Sequence, residues 1–120
     1  MSTETKISAA AQAAATAAKE NGYDVEFVLI AGKEYVYRPI VRSEWRKLMK
    51  ERNELMAALE EDKLAQAEAL ESEYEKILSL CLLYSSVPMA NIPAGAVQTL
   101  GDAILSLSGF GGLDMTPIKL

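Results

Sequence analysis

Asp24-Val-Glu-Phe-Val-Leu-Ile-Ala-Gly-Lys-Glu-Tyr-Val-Tyr-Arg-Pro-Ile40 decides how this chain folds. Val25, Phe27 and Leu29 alternate with Glu26, Val28 and Ile30, and a second run, Tyr35-Val-Tyr37, follows Ala31-Gly32-Lys33. Two β-rich runs around a short turn containing glycine predict a β-hairpin. Pro39 cannot donate to a ladder, so it ends the second strand or lies on an edge. Two strands do not hold by themselves in water. The hairpin therefore packs on helices or pairs with strands of another copy.

The chain after the hairpin supplies helices. Residues 43–84 contain neither Gly nor Pro. Ser43 is a candidate N-cap, with Glu44 placed well for the positive end of the helix dipole. Trp45, Leu48, Met49, Leu55, Met56 and Leu59 fall on one apolar stripe, interrupted by Arg52. Leu70, Tyr74, Ile77, Cys81 and Tyr84 make a second stripe at steps of four and three. The stretch between them, Glu60 to Ala67, is poor in apolar residues. Two helices breaking near Asp62, whose side chain caps the second, are expected; one continuous helix is the rival. Two prolines and a glycine mark residues 85–95 as a loop. Val97, Leu100, Ile104 and Leu107 then have helical spacing, and Gly109 is a natural stop behind which Phe110 folds back.

The expected fold is α+β, mostly α, with an N-terminal β-hairpin followed by three helices at 44–61, 63–84 and 94–108. Residues 23–110 form the single domain. The alanine-rich residues 1–22 are expected to be a leader, either a marginal helix or flexible, with Ser8 as its cap and Asn21-Gly22 as its stop. Residues 111–120 are expected to be a flexible tail. The core candidates are Leu48, Leu55, Ile77, Leu80, Cys81, Leu100, Ile104 and Phe110.

Composition narrows the function classes. The 120 residues include no histidine and one cysteine. General acid–base catalysis draws most often on His, and zinc sites on converging His, Cys or carboxylates. No cofactor, metal or catalytic residue is therefore expected. Ser85-Ser86 has no His partner, and Gly109-Phe-Gly-Gly lacks the Gly-Lys-Ser/Thr of a phosphate loop. A net charge of −5 argues against phosphate-backbone binding, so no nucleic-acid partner is expected. The basic run Arg38, Arg42, Arg46, Lys47, Lys50, Arg52 and the acidic run from Glu60 to Glu75 read as solvated helix faces with internal ion pairs. Tyr35 and Tyr37 read as core rather than as base-stacking platforms. Cys81, inside Leu80-Cys-Leu-Leu83, reads as a small buried hydrophobe. Met1-Ser2-Thr3-Glu4 begins no signal-peptide pattern, and no run of about 18 apolar residues exists. A cytosolic chain without a membrane span is expected.

Three segments occur in a particular order: Tyr35-Val-Tyr-Arg-Pro-Ile-Val-Arg-Ser-Glu-Trp45, Glu75-Lys-Ile-Leu-Ser-Leu-Cys-Leu-Leu-Tyr84, and Ile92-Pro-Ala-Gly-Ala-Val-Gln-Thr-Leu-Gly-Asp-Ala-Ile-Leu-Ser-Leu-Ser-Gly-Phe110. Together, over residues 27–110, they resemble small proteins of tailed bacteriophages of the tail assembly chaperone type. The resemblance implies a mostly helical, non-enzymatic protein of the host cytoplasm. Such proteins keep the long apolar tape-measure protein soluble, help recruit tail-tube subunits, and are absent from the finished particle. A helix-in-groove contact would use Trp45, Met49, Arg52, Leu55, Met56 and Leu59 as partner-binding residues. The partners implied are the tape-measure protein or other tail proteins, and an unpaired hairpin edge offers a route to self-association. The alternatives from other classes are a permanent structural component of the tail or baseplate, and a small helical adaptor.

Overall fold

The structure, a computed structural model, describes residues 7–110. The elements run α1 (Ala9–Glu20), β1 (Glu26–Ile30), β2 (Lys33–Tyr37), α2 (Arg42–Ala58), α3 (Lys63–Cys81), β3 (Leu82–Ser85), a 3-10 turn (Met89–Asn91) and α4 (Ala94–Leu107). This corrects the expected hairpin followed by three helices. Among the described residues there are four helices and three strands, the hairpin lies between α1 and α2, and a third strand follows α3. Residues 111–120, the expected tail, lie outside the described residues.

The hairpin turns on Ala31-Gly32, both at positive φ (50° and 77°), as a two-residue type I′ turn requires. β1 pairs antiparallel with β2 from Glu26↔Tyr37 to Ile30↔Lys33. β3 adds to the other edge of β2, antiparallel, with Tyr35 opposite Ser85, Val36 opposite Tyr84 and Tyr37 opposite Leu82. The irregularity between Val36 and Tyr37 leaves Leu83 as an extra residue, a β-bulge. The periodicity that places Tyr84 on a helical stripe is overruled here. Arg38 ends α3 by taking its last carbonyls: its backbone N–H donates to Cys81 O (3.0 Å) and its Nη2 to Leu80 O (2.8 Å). The chain then turns extended at Leu82 and joins the sheet.

Each helix start has an identifiable cause. The Ser8 hydroxyl accepts from the Ala11 amide, and Asp62 Oδ1 accepts from the Ala65 amide at 3.0 Å. α2 starts earlier than expected. Its N-cap is Val41, which has no side-chain acceptor, and Ser43 lies inside the first turn. Glu44 compensates by accepting from the Val41 amide at 3.2 Å. α4 stops at Gly109 (φ 100°), where the Phe110 amide reaches back to Leu105 O.

The sheet separates two layers. Tyr35 and Tyr37, with Val28 and Ile30, face the main core of Ile40, Leu48, Ile77, Leu78, Cys81, Leu100 and Ile104. Val36 points the other way, beneath α1, whose buried residues are Ala11 and Ala18. An alanine helix has little area to bury, but its small side chains let its backbone approach the sheet. Glu34 on β2 adds a polar tie by accepting from the Ser8 amide at 2.9 Å, at the positive end of α1. Residues 1–6 of the expected leader lie outside the described residues, and its alanine run, Ala9–Glu20, is a helix docked on the sheet. Of the core candidates, Leu48, Ile77, Cys81, Leu100 and Ile104 are buried and Leu55 is half-buried. Leu80 (39% exposed) and Phe110 (54% exposed) are not core. Ile77, Leu78 and Cys81 fix the inward face of α3, which turns Leu80 outward.

Candidate functional site: a groove between the second and third helices

α2 and α3 run antiparallel across the break at Leu59–Asp62 and are tied together sparsely. Gln66 Nε2 donates to Met56 O at 3.2 Å near the break, and Arg52 meets Glu73 at 3.5 Å midway. Toward their other ends the helices flank a groove. The open groove there has a volume of about 650 Å³. Its α2 wall is Glu44, Lys47, Leu48 and Glu51, spaced as one helical face. Its α3 wall is Ser72, Glu75, Lys76, Ser79 and Leu80, spaced likewise. Leu48 and Leu80 supply an apolar floor, and Ser72 and Ser79 keep the α3 wall low. The rim carries both signs of charge.

The mouth of the groove is built on one buried cation. Arg38, 9% exposed, leaves the end of β2 and reaches between the start of α2 and the end of α3. Its guanidinium holds Glu44 through two parallel bonds, Nη1 to Oε1 at 2.8 Å and Nη2 to Oε2 at 2.9 Å. It also donates to Pro39 O at 2.9 Å and to Leu80 O at 2.8 Å. The Tyr23 ring covers it, with the guanidinium carbon 4.6 Å from the ring centroid. The hydrogen bonds from Arg38 hold the Glu44 carboxyl below the usual carboxylate range, and Glu44 raises the Arg38 pKa in turn. Glu44 and Leu80, the two ends of this clasp, are also residues of the groove. The clasp therefore fixes the separation of α2 and α3 where the groove opens.

The six sequence-derived partner residues do not form one exposed face. All six, Trp45, Met49, Arg52, Leu55, Met56 and Leu59, are half-buried. Trp45 and Met49 pack against the main core, and the Trp45 ring meets Phe110 at a centroid distance of 4.4 Å. Trp45 and Arg52 line a second hollow of about 290 Å³ with Leu70, Glu73, Tyr74, Ile77 and Leu105. Leu55 and Met56 line a narrow crevice against Ala69 and Lys76. The Arg52–Glu73 bridge separates these two hollows. The larger groove lies on the neighbouring face of α2, in residues that read along the chain as solvated charge. The available signal for it was Leu80, which falls off the Ile77–Cys81 stripe of its own helix.

Chemistry is sparse across the described residues. No three of their Asp, Glu or Cys side chains converge as metal ligands. Burial pushes the Cys81 thiol up to about 11, which removes its nucleophilic form at neutral pH. Burial, followed by the hydrogen bond to Glu26, raises the Tyr37 phenol, which donates to Glu26 Oε1 at 2.9 Å. None of the described helices is long and apolar enough to cross a membrane. No protein-family model, curated protein or solved structure matches this chain.

Proposed function

We propose that this protein is a non-enzymatic tail assembly chaperone of a tailed bacteriophage. In this reading it acts in the host cytoplasm and holds an apolar helical segment of the tape-measure protein, or of another tail protein, between α2 and α3. The observation that carries the reading is the form of the groove: an apolar floor of Leu48 and Leu80 between rims of Lys47, Glu51, Glu75 and Lys76. An amphipathic helix places apolar anchors at intervals of three and four with charges flanking them, and such a floor accepts a few of those anchors while the mixed rim meets either sign. The ordered resemblance of residues 35–45, 75–84 and 92–110 supplies the identity of the client.

Co-expression with a tape-measure fragment tests the proposal. The expected result is a higher soluble yield of the fragment and its co-purification with this chain. Leu80→Glu should abolish co-purification without lowering the melting temperature, because Leu80 is already exposed. A fragment whose solubility is indifferent to this chain would sink the proposal. Mass spectrometry of purified particles separates a chaperone, which is lost on maturation, from a permanent tail or baseplate subunit.

A further inference from the structure

Among the described residues the sheet has two edge strands, β1 and β3, and β1 is the longer. Among the described residues its substantial neighbours are β2 on one side and α1 on one face, and α1 lies mainly over β2 and β3. The turn at Ala31-Gly32 makes Ile30↔Lys33 the closing hydrogen-bonded pair, so the ladder continues through Val28↔Tyr35 and Glu26↔Tyr37. The backbone N–H and C=O groups of Phe27 and Leu29 therefore point away from β2. Natural edges are usually blunted by Pro, Lys, a bulge or an inward charge. β1, Glu-Phe-Val-Leu-Ile, has none of these in its middle, and its register with β2 is regular. Its single charge, Glu26, sits at one end and accepts from Tyr37 on the core face. Leu29 is 45% exposed on the opposite face.

We infer that β1 is the surface through which two copies of this chain associate, antiparallel about a two-fold axis at Val28. The edge is complementary to itself in this register. Phe27 pairs with Leu29 of the partner subunit through the outward N–H and C=O groups of both, and the symmetric pair repeats the contact. Val28 meets Val28 of the partner subunit as the close pair without hydrogen bonds. The exposed Leu29 side chain and the half-buried Phe27 side chain of opposite copies then cover each other on the α1 face. Glu26 falls opposite Ile30 of the partner subunit, so no like charges meet. This self-complementarity favours a second copy over an unrelated extended peptide. The inference is independent of the groove between α2 and α3, which lies on other elements.

Analytical ultracentrifugation of the full chain over a concentration series tests it, together with three variants. The wild type should show a concentration-dependent dimer. Leu29→Pro should be monomeric with an unchanged far-ultraviolet spectrum, since it removes only an outward N–H and leaves the β1–β2 ladder intact. Leu29→Lys should also weaken the dimer, and it carries the test if the proline variant fails to fold. Val28→Cys should form a covalent dimer on mild oxidation, because the two-fold pair lies within disulfide reach, whereas the only native cysteine, Cys81, is buried. A wild type that stays monomeric throughout the series would overturn the inference. So would a dimer that survives both Leu29 substitutions, or Val28→Cys protein that remains uncross-linked while dimeric.

Discussion

Replacing Arg38 by Met keeps an unbranched chain of similar length and removes every polar contact the guanidinium makes. Four donated hydrogen bonds are lost: two to Glu44, one to Pro39 O and one to Leu80 O. Hydrogen bonds to charged groups contribute about 1.5–3 kcal/mol each, but they do not add. Removing one partner of a buried ion pair costs about 3–5 kcal/mol, mainly because the other charge is left behind. Glu44 is 23% exposed, so water takes up part of that charge and the loss falls at the lower end, about 3 kcal/mol. A domain of this size holds about 5–15 kcal/mol in total, so the change is a large share. Urea denaturation of wild type and variant measures it directly, and in thermal denaturation the melting temperature should fall by at least about 10 °C. Arg38→Lys keeps the charge but cannot make the parallel pair, and should lose roughly half as much. A double-mutant cycle with Glu44→Gln should return a coupling energy of about 1–2 kcal/mol. The sign with pH follows from the lowered Glu44 pKa. The folded state disfavours the proton, so this stability is present above the ordinary carboxylate range and is lost as pH falls through the folded pKa. Arg38→Met should lose that acid dependence. An Arg38→Met variant within about 1 kcal/mol of wild type, with no coupling to Glu44, would refute the clasp.

Cys81 gives the opposite pH sign: its thiol is pushed up to about 11, so the folded state retains a proton that the unfolded chain releases, and stability falls as pH rises from about 9 through 11. Cys81→Ala should remove up to about 2–3 kcal/mol of that alkaline loss, read from urea midpoints across the range. Gly101 on α4 lies against the Tyr74 ring of α3 with no room for a Cβ. Gly101→Ala should destabilise by about 1–3 kcal/mol, and Tyr74→Leu should absorb part of that cost in the double mutant. Ala31 is the one non-glycine residue at positive φ among those described. Ala31→Asn suits the first position of a type I′ turn and should raise stability by about 0.5–1 kcal/mol in thermal denaturation.

Local signals were legible where one short stretch fixes its own geometry. The alternation around Ala31-Gly32 marks the hairpin, Asp62 marks the start of α3, and Gly109 marks the end of α4, because each depends on groups within a few residues. β3 was not legible. Leu82-Leu-Tyr84 continues the apolar stripe of α3, and what stops the helix is Arg38, more than forty residues earlier. The docking of α1 was hidden for a similar reason. An alanine run states a helix preference but not that Val36 offers it a seat or that Glu34 holds its first turn. The groove was hidden because Lys47, Glu51, Glu75 and Lys76 read as solvated charge on each helix taken singly. Only the separation of α2 from α3 turns those residues into two sides of one feature.

That separation explains why a costly group stands at the junction. A well-packed apolar side chain in place of the Arg38–Glu44 pair could be as stabilising, since buried ion pairs recover their desolvation cost only with good geometry. Packing by itself, however, leaves the spacing of two helices free to slide by fractions of an ångström. The guanidinium is planar and its donors are fixed in direction, so it binds Glu44 and Leu80 O at one distance each. Both ends of that fixed span are residues of the groove, one on each helix. Elsewhere α2 and α3 are joined by the partly exposed Arg52–Glu73 contact and the bond from Gln66 to Met56 O. The width of the groove is therefore set chiefly by Arg38, a residue of neither wall.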